Sequence, residues 1–149
     1  MPTALDLLEN LQKVNINEIV KSSLINTTPA LLRAQKKQMM AGKTAKGENI
    51  KPELRSQEYA KQKKAKYQES PFGIPNLRDT GEFQQNIYLE VDSDSYKLDS
   101  TDIKSDKLKA KYGEEIFGLS ENFIAEYTEK DLQPEFNRQI TEITGLKFE

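Results

Sequence analysis

The sequence of 149 residues contains no cysteine, no histidine and no tryptophan. Without cysteine the chain can form neither disulfide bonds nor thiolate metal sites. The missing histidine removes the commonest general base and the commonest metal ligand near neutral pH. Any catalysis would have to rely on carboxylates, lysine, tyrosine, serine or threonine. We therefore expect no enzyme, no cofactor and no metal site.

Long apolar runs are missing as well. No stretch approaches the roughly 18 apolar residues of a membrane-spanning helix, so we expect no association with a membrane. Hydrophobic residues make up 36% of the chain and charged residues 31%, which is a polar balance for so short a protein. Part of the chain is therefore expected to bury its apolar face only against a partner.

The charges are segregated along the chain. Residues 33–66 contain eleven basic and three acidic residues, a net charge of +8, whereas residues 79–149 contain eight basic and seventeen acidic residues, a net charge of -9. Such a chain can attract copies of itself head to tail, or present its basic part to DNA or to an acidic protein. The interface or DNA-facing candidates are Arg33, Lys36, Lys37, Lys43, Lys46, Arg55, Lys61, Lys63 and Lys64.

The order of patterns predicts an α+β fold. Helical spacing of apolar residues predicts a helical N-terminal arm over residues 1–67, and residues 68–78 form a Pro/Gly-rich loop. In the core, residues 79–149, the alternating stretches "IYLEV" and "YKLDS" predict a β-hairpin within 86–100, with "DSDS" as its turn. A long C-terminal helix, kinked or restarted at Pro134 and ended by Gly145, should pack on this small antiparallel sheet. The predicted core residues are Ile87, Leu89, Val91, Tyr96, Leu98, Phe123, Tyr127, Phe136 and Ile140.

The stretch "LRDTG", residues 77–81, contains the Asp-Thr-Gly triplet that aspartic proteases use. In a protease, apolar strands flank the aspartate so that two copies can share one proton. Here Arg78 and Glu82 flank the triplet, and helix-like "EFQQN" follows it. We therefore predict that Asp79, Thr80 and Gly81 form a structural turn that starts a helix and binds no ligand.

A second group of carboxylates lies in "DSDSYKLDSTD", which contains Asp92, Asp94, Asp99 and Asp102. The calcium loop with a central glycine and a closing glutamate is absent from it. We interpret these residues as the solvated end of a hairpin.

The stretch "NLRDTGEFQQNIYLEVDSDSYKLDSTD" resembles a region of the tail-completion and virion-morphogenesis proteins of tailed bacteriophages. In that family a Leu-x-Asp-Thr-Gly-x-Leu/Phe-x-x-Ser/Asn-Ile stretch leads into a strand hairpin, and a terminal helix rich in large apolar residues follows. The segment "QMMAGKTAKGENI" is similar to a Gln-x-x-x-Gly-Lys-x-x-x-Gly-x-x-Ile segment of small phage structural proteins. The resemblance covers about residues 35–145.

The resemblance implies a structural virion protein without catalytic activity. Its members sit at the neck or tail of the virion, often as rings. The expected partners are copies of the chain itself in a ring and other portal, neck or tail proteins, with DNA as a further candidate. The expected location is the virion, assembled in the host cytoplasm. The alternative from the residues alone is a nucleic-acid-binding accessory protein that uses the basic segment 33–66.

Overall fold

The computed structural model describes residues 3–92 and 95–145. Its helices are α1 (Ala4–Gln12), α2 (Ile16–Asn26), α3 (Thr28–Met40), α4 (Gln57–Lys66), α5 (Glu82–Gln85), α6 (Ser105–Tyr112), α7 (Glu121–Tyr127) and α8 (Gln133–Thr144). Strands β1 (Ile87–Val91) and β2 (Tyr96–Ser100) lie between α5 and α6, and a 3-10 turn (Glu114–Ile116) precedes α7.

The predicted α+β class is confirmed, because an antiparallel hairpin is combined with helices and a long C-terminal helical segment. In the hairpin Ile87 pairs with Ser100, Leu89 with Leu98, and Val91 with Tyr96. The backbone N–H of Asp92 donates to the carbonyl of Ser95 over 2.8 Å. The middle of the predicted turn, residues 93–94, lies outside the described residues.

Of the nine predicted core residues, four are buried, four are partly buried and one is exposed. Ile87, Leu98, Tyr127 and Ile140 are buried, and Leu89, Val91, Phe123 and Phe136 are partly buried. The prediction is wrong for Tyr96, whose side chain is 41% exposed. Burial along its strand does not alternate as expected: Tyr96 and Lys97, at the turn end of the hairpin, are exposed, whereas Leu98, Asp99 and Ser100 are buried.

The hydrophobic core is shared by the two sides of the 68–78 loop. Leu31, Met39 and Ile50 from the N-terminal side are buried in the same cluster as Ile87 and Ile116 from the C-terminal side. Helix α3 contacts both α7 and β1. Helix α1 has no buried residue and contacts α8.

Two glutamines on α3 bind α3 to the extended segment before α7. The Gln38 side chain accepts the N–H of Ser120 and donates to the carbonyl of Gly118, each over 2.7 Å. Gln35 accepts the N–H of Gly118 over 2.7 Å and donates to the carbonyl of Ile116 over 3.3 Å. Both side chains are fully buried. Their amides take the place of a neighbouring strand and satisfy a backbone that would otherwise be buried without partners.

The C-terminal helical segment passes Pro134 without a break. Residues Thr128–Leu132 form a π-helical turn between α7 and α8, in which the N–H of Gln133 donates to the carbonyl of Thr128, five residues earlier. Proline has no N–H to donate to the carbonyl four residues before it, and the wider turn accommodates this defect. The structure therefore has a π-bulge before Pro134, where the sequence predicted a kink or a restart of the helix. Gly145 ends α8 in the left-handed conformation, as predicted.

Candidate interaction cleft around the LRDTG turn

The LRDTG turn, residues 77–81, starts helix α5. Gly81 is the residue before the helix and has a φ of +92°, a left-handed value that glycine adopts without strain. The Thr80 hydroxyl accepts the N–H of Glu82 over 3.4 Å, so Thr80 supplies a long hydrogen bond to the first helical turn. Asp79 is exposed. The geometry supports the predicted structural turn, with Gly81 as its main determinant.

Asn76 holds the turn in place from the inside. Its side chain is 2% exposed; it accepts from the Lys63 ammonium and from the N–H of Arg78 over 2.9 and 3.1 Å. Its amide donates to the hydroxyl of Ser70, and its carbonyl accepts from Gln84 of α5 over 2.9 Å. Because these contacts come from α4, the loop and α5, they fix how the turn is presented.

The turn forms one wall of a cleft of about 560 Å³. The segment 52–56 and α4 form a second wall, and α6 forms a third. Apolar side chains line its inner part, among them Leu77, Phe83 and Leu108. We call this feature the basic cleft because its cationic residues are Arg55, Lys63, Arg78, Lys104, Lys107 and Lys111, whereas its acidic residues are Glu53 and Asp79.

The cations of the basic cleft are only partly engaged within the chain. Lys63 donates to Asn76 and to the carbonyl of Arg78, and the Arg78 guanidinium lies over the ring of Tyr67. Burial lowers the pKa of Lys63, and Lys66 and Arg78 lower that pKa further, while Asp79 acts in the opposite direction. The cleft therefore has a positive potential that favours an anionic occupant.

Four of these cations are available to a partner. Within the described part of the chain, Arg55, Lys104, Lys107 and Lys111 form no ion pair with a carboxylate. Lys111 lies 5.2 Å from the ring centroid of Tyr112.

The sequence-predicted basic segment 33–66 does not form one surface. Lys46 pairs with Glu115 over 2.9 Å, and Lys37 lies 3.9 Å from Glu126, so part of the +8 charge faces acidic residues of the same chain. Lys43 donates to Asn49, and Lys64 donates to carbonyls of the following loop. The residues of the segment placed in the cleft are Arg55 and Lys63, whereas Arg33, Lys36 and Lys61 lie elsewhere.

Sequence reasoning missed the contribution of α6 to this cleft. Lys104, Lys107 and Lys111 line it, although they belong to the acidic half of the chain. Their spacing of three and four residues puts them on one face of a helix, and this was the available signal. That basic face is not apparent from the net charge of residues 79–149, which is -9 because acidic residues predominate there.

Asp99 of β2 is also part of a charged cluster, on the other side of α6. Burial raises the pKa of its carboxyl, but hydrogen bonds from the N–H of Ser100, the hydroxyl of Ser105 and the ammonium of Lys109 outweigh it, so that this pKa lies below its usual value. Lys109 approaches the carboxylate to 3.2 Å. These partners bind β2 to α6 and place the lysine face of α6 towards the cleft.

A second exposed feature lies on the N-terminal helices. We call Leu5, Leu8 and Leu11 the α1 leucine row; their exposed fractions are 63%, 53% and 47%. They repeat every three residues and therefore lie along one side of the helix. On α2, Ile16 and Ile25 are exposed to a similar degree. Contiguous exposed apolar surface of this kind is typical of an interface.

Comparisons with protein-family models, with curated proteins and with solved structures give no match for this chain. None of the helices described in residues 3–92 and 95–145 has the length and apolar character to cross a bilayer. Among the same residues no three acidic side chains come close enough together to hold a metal ion.

Proposed function

We propose that this chain is a structural virion protein of a tailed bacteriophage, forming part of a ring at the portal, neck or tail. The observation that carries the proposal is the exposed α1 leucine row. A helix that buries none of its residues yet has three leucines on one side is built for contact with another molecule. An assembly component needs such a surface, whereas on a monomeric protein in solution the same surface would promote aggregation.

Two further features support the proposal. The LRDTG turn leads directly through α5 into the hairpin, which is the order of elements in the phage proteins that this sequence resembles. The turn is held by Asn76, whose side chain accepts the N–H of Arg78, and Asn76 is in turn bound to Ser70 and Gln84, as expected of a scaffold element. We assign the turn no catalytic role and place the protein in virions assembled in the host cytoplasm.

Electron microscopy of purified virions tests this function. We expect a density map of the neck and tail to contain repeated copies of the hairpin with the C-terminal helix packed on it, in contact with portal, neck or tail proteins. Virions produced without this protein should have unjoined or incomplete tails. Complete, infectious virions that lack the protein would contradict the proposal.

A nucleic-acid-binding accessory protein is the second candidate, and the basic cleft favours it. Arg55, Lys104, Lys107 and Lys111 can contact phosphates. If these four contacts were made, the log-log slope of duplex affinity against salt concentration would be about -3.6, from about -0.9 for each neutralised phosphate. A slope near zero, or binding that is unchanged in Lys104→Glu/Lys107→Glu, would exclude this use of the cleft.

The protease interpretation of Asp79 has a separate test. The triplet is followed at once by α5 and not by a strand, which differs from the layout that the shared-proton mechanism needs. We expect Asp79→Asn to abolish no activity of the protein. Proteolytic activity that is present in the wild-type protein and lost in Asp79→Asn would support the protease interpretation.

A further inference from the structure

We infer that the chain assembles head to tail, with helix α1 of one copy lying in the basic cleft of the next copy. This inference rests on the ring assembly proposed above and names the two surfaces that form its contact. Helix α1 provides the inserted element and the basic cleft provides the groove. The two surfaces are distinct, so every copy has one of each to offer.

The first argument is apolar complementarity. The α1 leucine row offers three large side chains over two turns, the arrangement by which amphipathic helices enter grooves. The cleft offers an apolar interior, with Leu77 and Phe83 buried in its floor and Leu108 on its α6 wall. Ile103, two residues before α6, is 94% exposed and offers a further apolar side chain next to Lys104 at the edge of the cleft.

The second argument is charge complementarity. Residues 4–12 contain Asp6 and Glu9 and no basic residue. The cleft has six basic residues against two acidic ones, and four of the six form no ion pair within the described part of the chain. Opposite charges around an apolar contact set its orientation and suppress wrong partners. The acidic α1 thus fits the cleft better than the basic face of another α4 or α6 would.

The third argument is symmetry. A contact between two different surfaces of identical chains is heterologous: it closes into a ring if the rotation between neighbours allows and otherwise extends into a filament. An α1-to-α1 contact would be isologous and would stop at a dimer. The α1-to-cleft contact therefore provides the kind of interface that a ring requires.

The experiment uses the full chain and measures its assembly by sedimentation velocity over a range of concentrations. The α1 variant is Leu5→Ser/Leu8→Ser, and the cleft variant is Lys104→Glu/Lys107→Glu. All four side chains are exposed, so both variants should melt at the wild-type temperature. We expect the wild-type chain to form species larger than a dimer. The α1 variant should associate at least about 100-fold more weakly, given the burial lost with two leucines, and the cleft variant should also associate more weakly, because its new glutamates repel the acidic α1.

Mixing the two variants is the decisive step. The cleft variant retains an intact α1, and the α1 variant retains an intact cleft, so one functional contact can form between them. We expect an equimolar mixture to form a one-to-one heterodimer and nothing larger. The matched control is Lys13→Glu/Lys21→Glu, which should assemble as the wild-type chain does.

Three results would overturn the inference: a wild-type chain that stays monomeric at every concentration, an α1 variant that assembles normally, or a mixture that does not dimerise. Binding of a labelled DNA duplex that is lost in the cleft variant and kept in the α1 variant, without any self-association, would assign the cleft to nucleic acid instead. The proposed virion function and the α1-to-cleft contact can be refuted independently of each other. Virions that contain the protein but incorporate both variants normally would refute this contact alone, and assembly in solution by a protein absent from virions would refute the virion function alone.

Discussion

Replacing the buried Gln38 by Met should destabilise the protein strongly, although Gln38 belongs neither to the basic cleft nor to the α1 leucine row. Methionine has nearly the same length and volume as glutamine, so the core keeps its packing and loses only the amide. The N–H of Ser120 and the carbonyl of Gly118 then lose the partners that bind them at 2.7 Å.

The expected loss follows from these two backbone groups. A buried polar group without a partner costs about 1–3 kcal/mol. Ser120 is 6% exposed, so its N–H is desolvated, whereas Gly118 is only partly buried and its carbonyl should cost less. The sum is about 2–4 kcal/mol, a large part of the roughly 5–15 kcal/mol by which a domain of this size is stable.

Urea denaturation followed by circular dichroism measures this loss. We expect Gln38→Met to lower the midpoint without a change in slope, and exposed Gln62→Met on α4 to stay within about 0.5 kcal/mol of wild type. Because Gln35 and Gln38 both bind Gly118, the double variant should lose less than the sum of the two single losses. If Gln38→Met were as stable as Gln62→Met, the glutamine pair would not be what binds α3 to the segment before α7.

Three further predictions concern charge and backbone. Hydrogen bonds from Arg138 and Asn26 lower the pKa of Glu135 to about 2. Because a folded pKa below the unfolded value stabilises only the ionised state, the contribution of Glu135 to stability should be present above about pH 4.5 and disappear towards pH 2. The stability of Glu135→Gln should therefore depend less on pH in this range than the stability of wild type. Gly81→Val should cost more than Gly81→Asn, because the φ of +92° is strained for a β-branched residue and tolerated by asparagine; equal melting temperatures would contradict this. Asp99→Asn should lower the melting temperature near neutral pH, because Lys109 at 3.2 Å loses its charged partner; an unchanged value would show that the pair contributes nothing.

The N-terminal and C-terminal ends of helices were predictable because they depend on neighbouring residues. Thr3 and Asp6, which are three residues apart, form a capping box at the start of α1. Gly81 and Gly145 take the positive φ values that a turn and a helix end require. The hairpin followed from the alternating apolar residues of "IYLEV" and "YKLDS", although burial alternates in β1 and not in β2.

The contribution of α3 to the core and the position of the cleft could not be predicted in the same way. The sequence determined by itself that the chain has no thiol or imidazole chemistry, that it forms an α+β fold with a hairpin near 86–100, and that its charge is segregated. Only the tertiary structure decided that α3 lies in the core, that Lys37 and Lys46 face acids of their own chain, and that Lys104 joins Arg55 in one cleft. The reason is physical: caps, turns and alternation are set by residues a few positions apart, whereas the cleft and the glutamine contacts join side chains to groups some 50 to 80 residues away in sequence, and only packing brings those together.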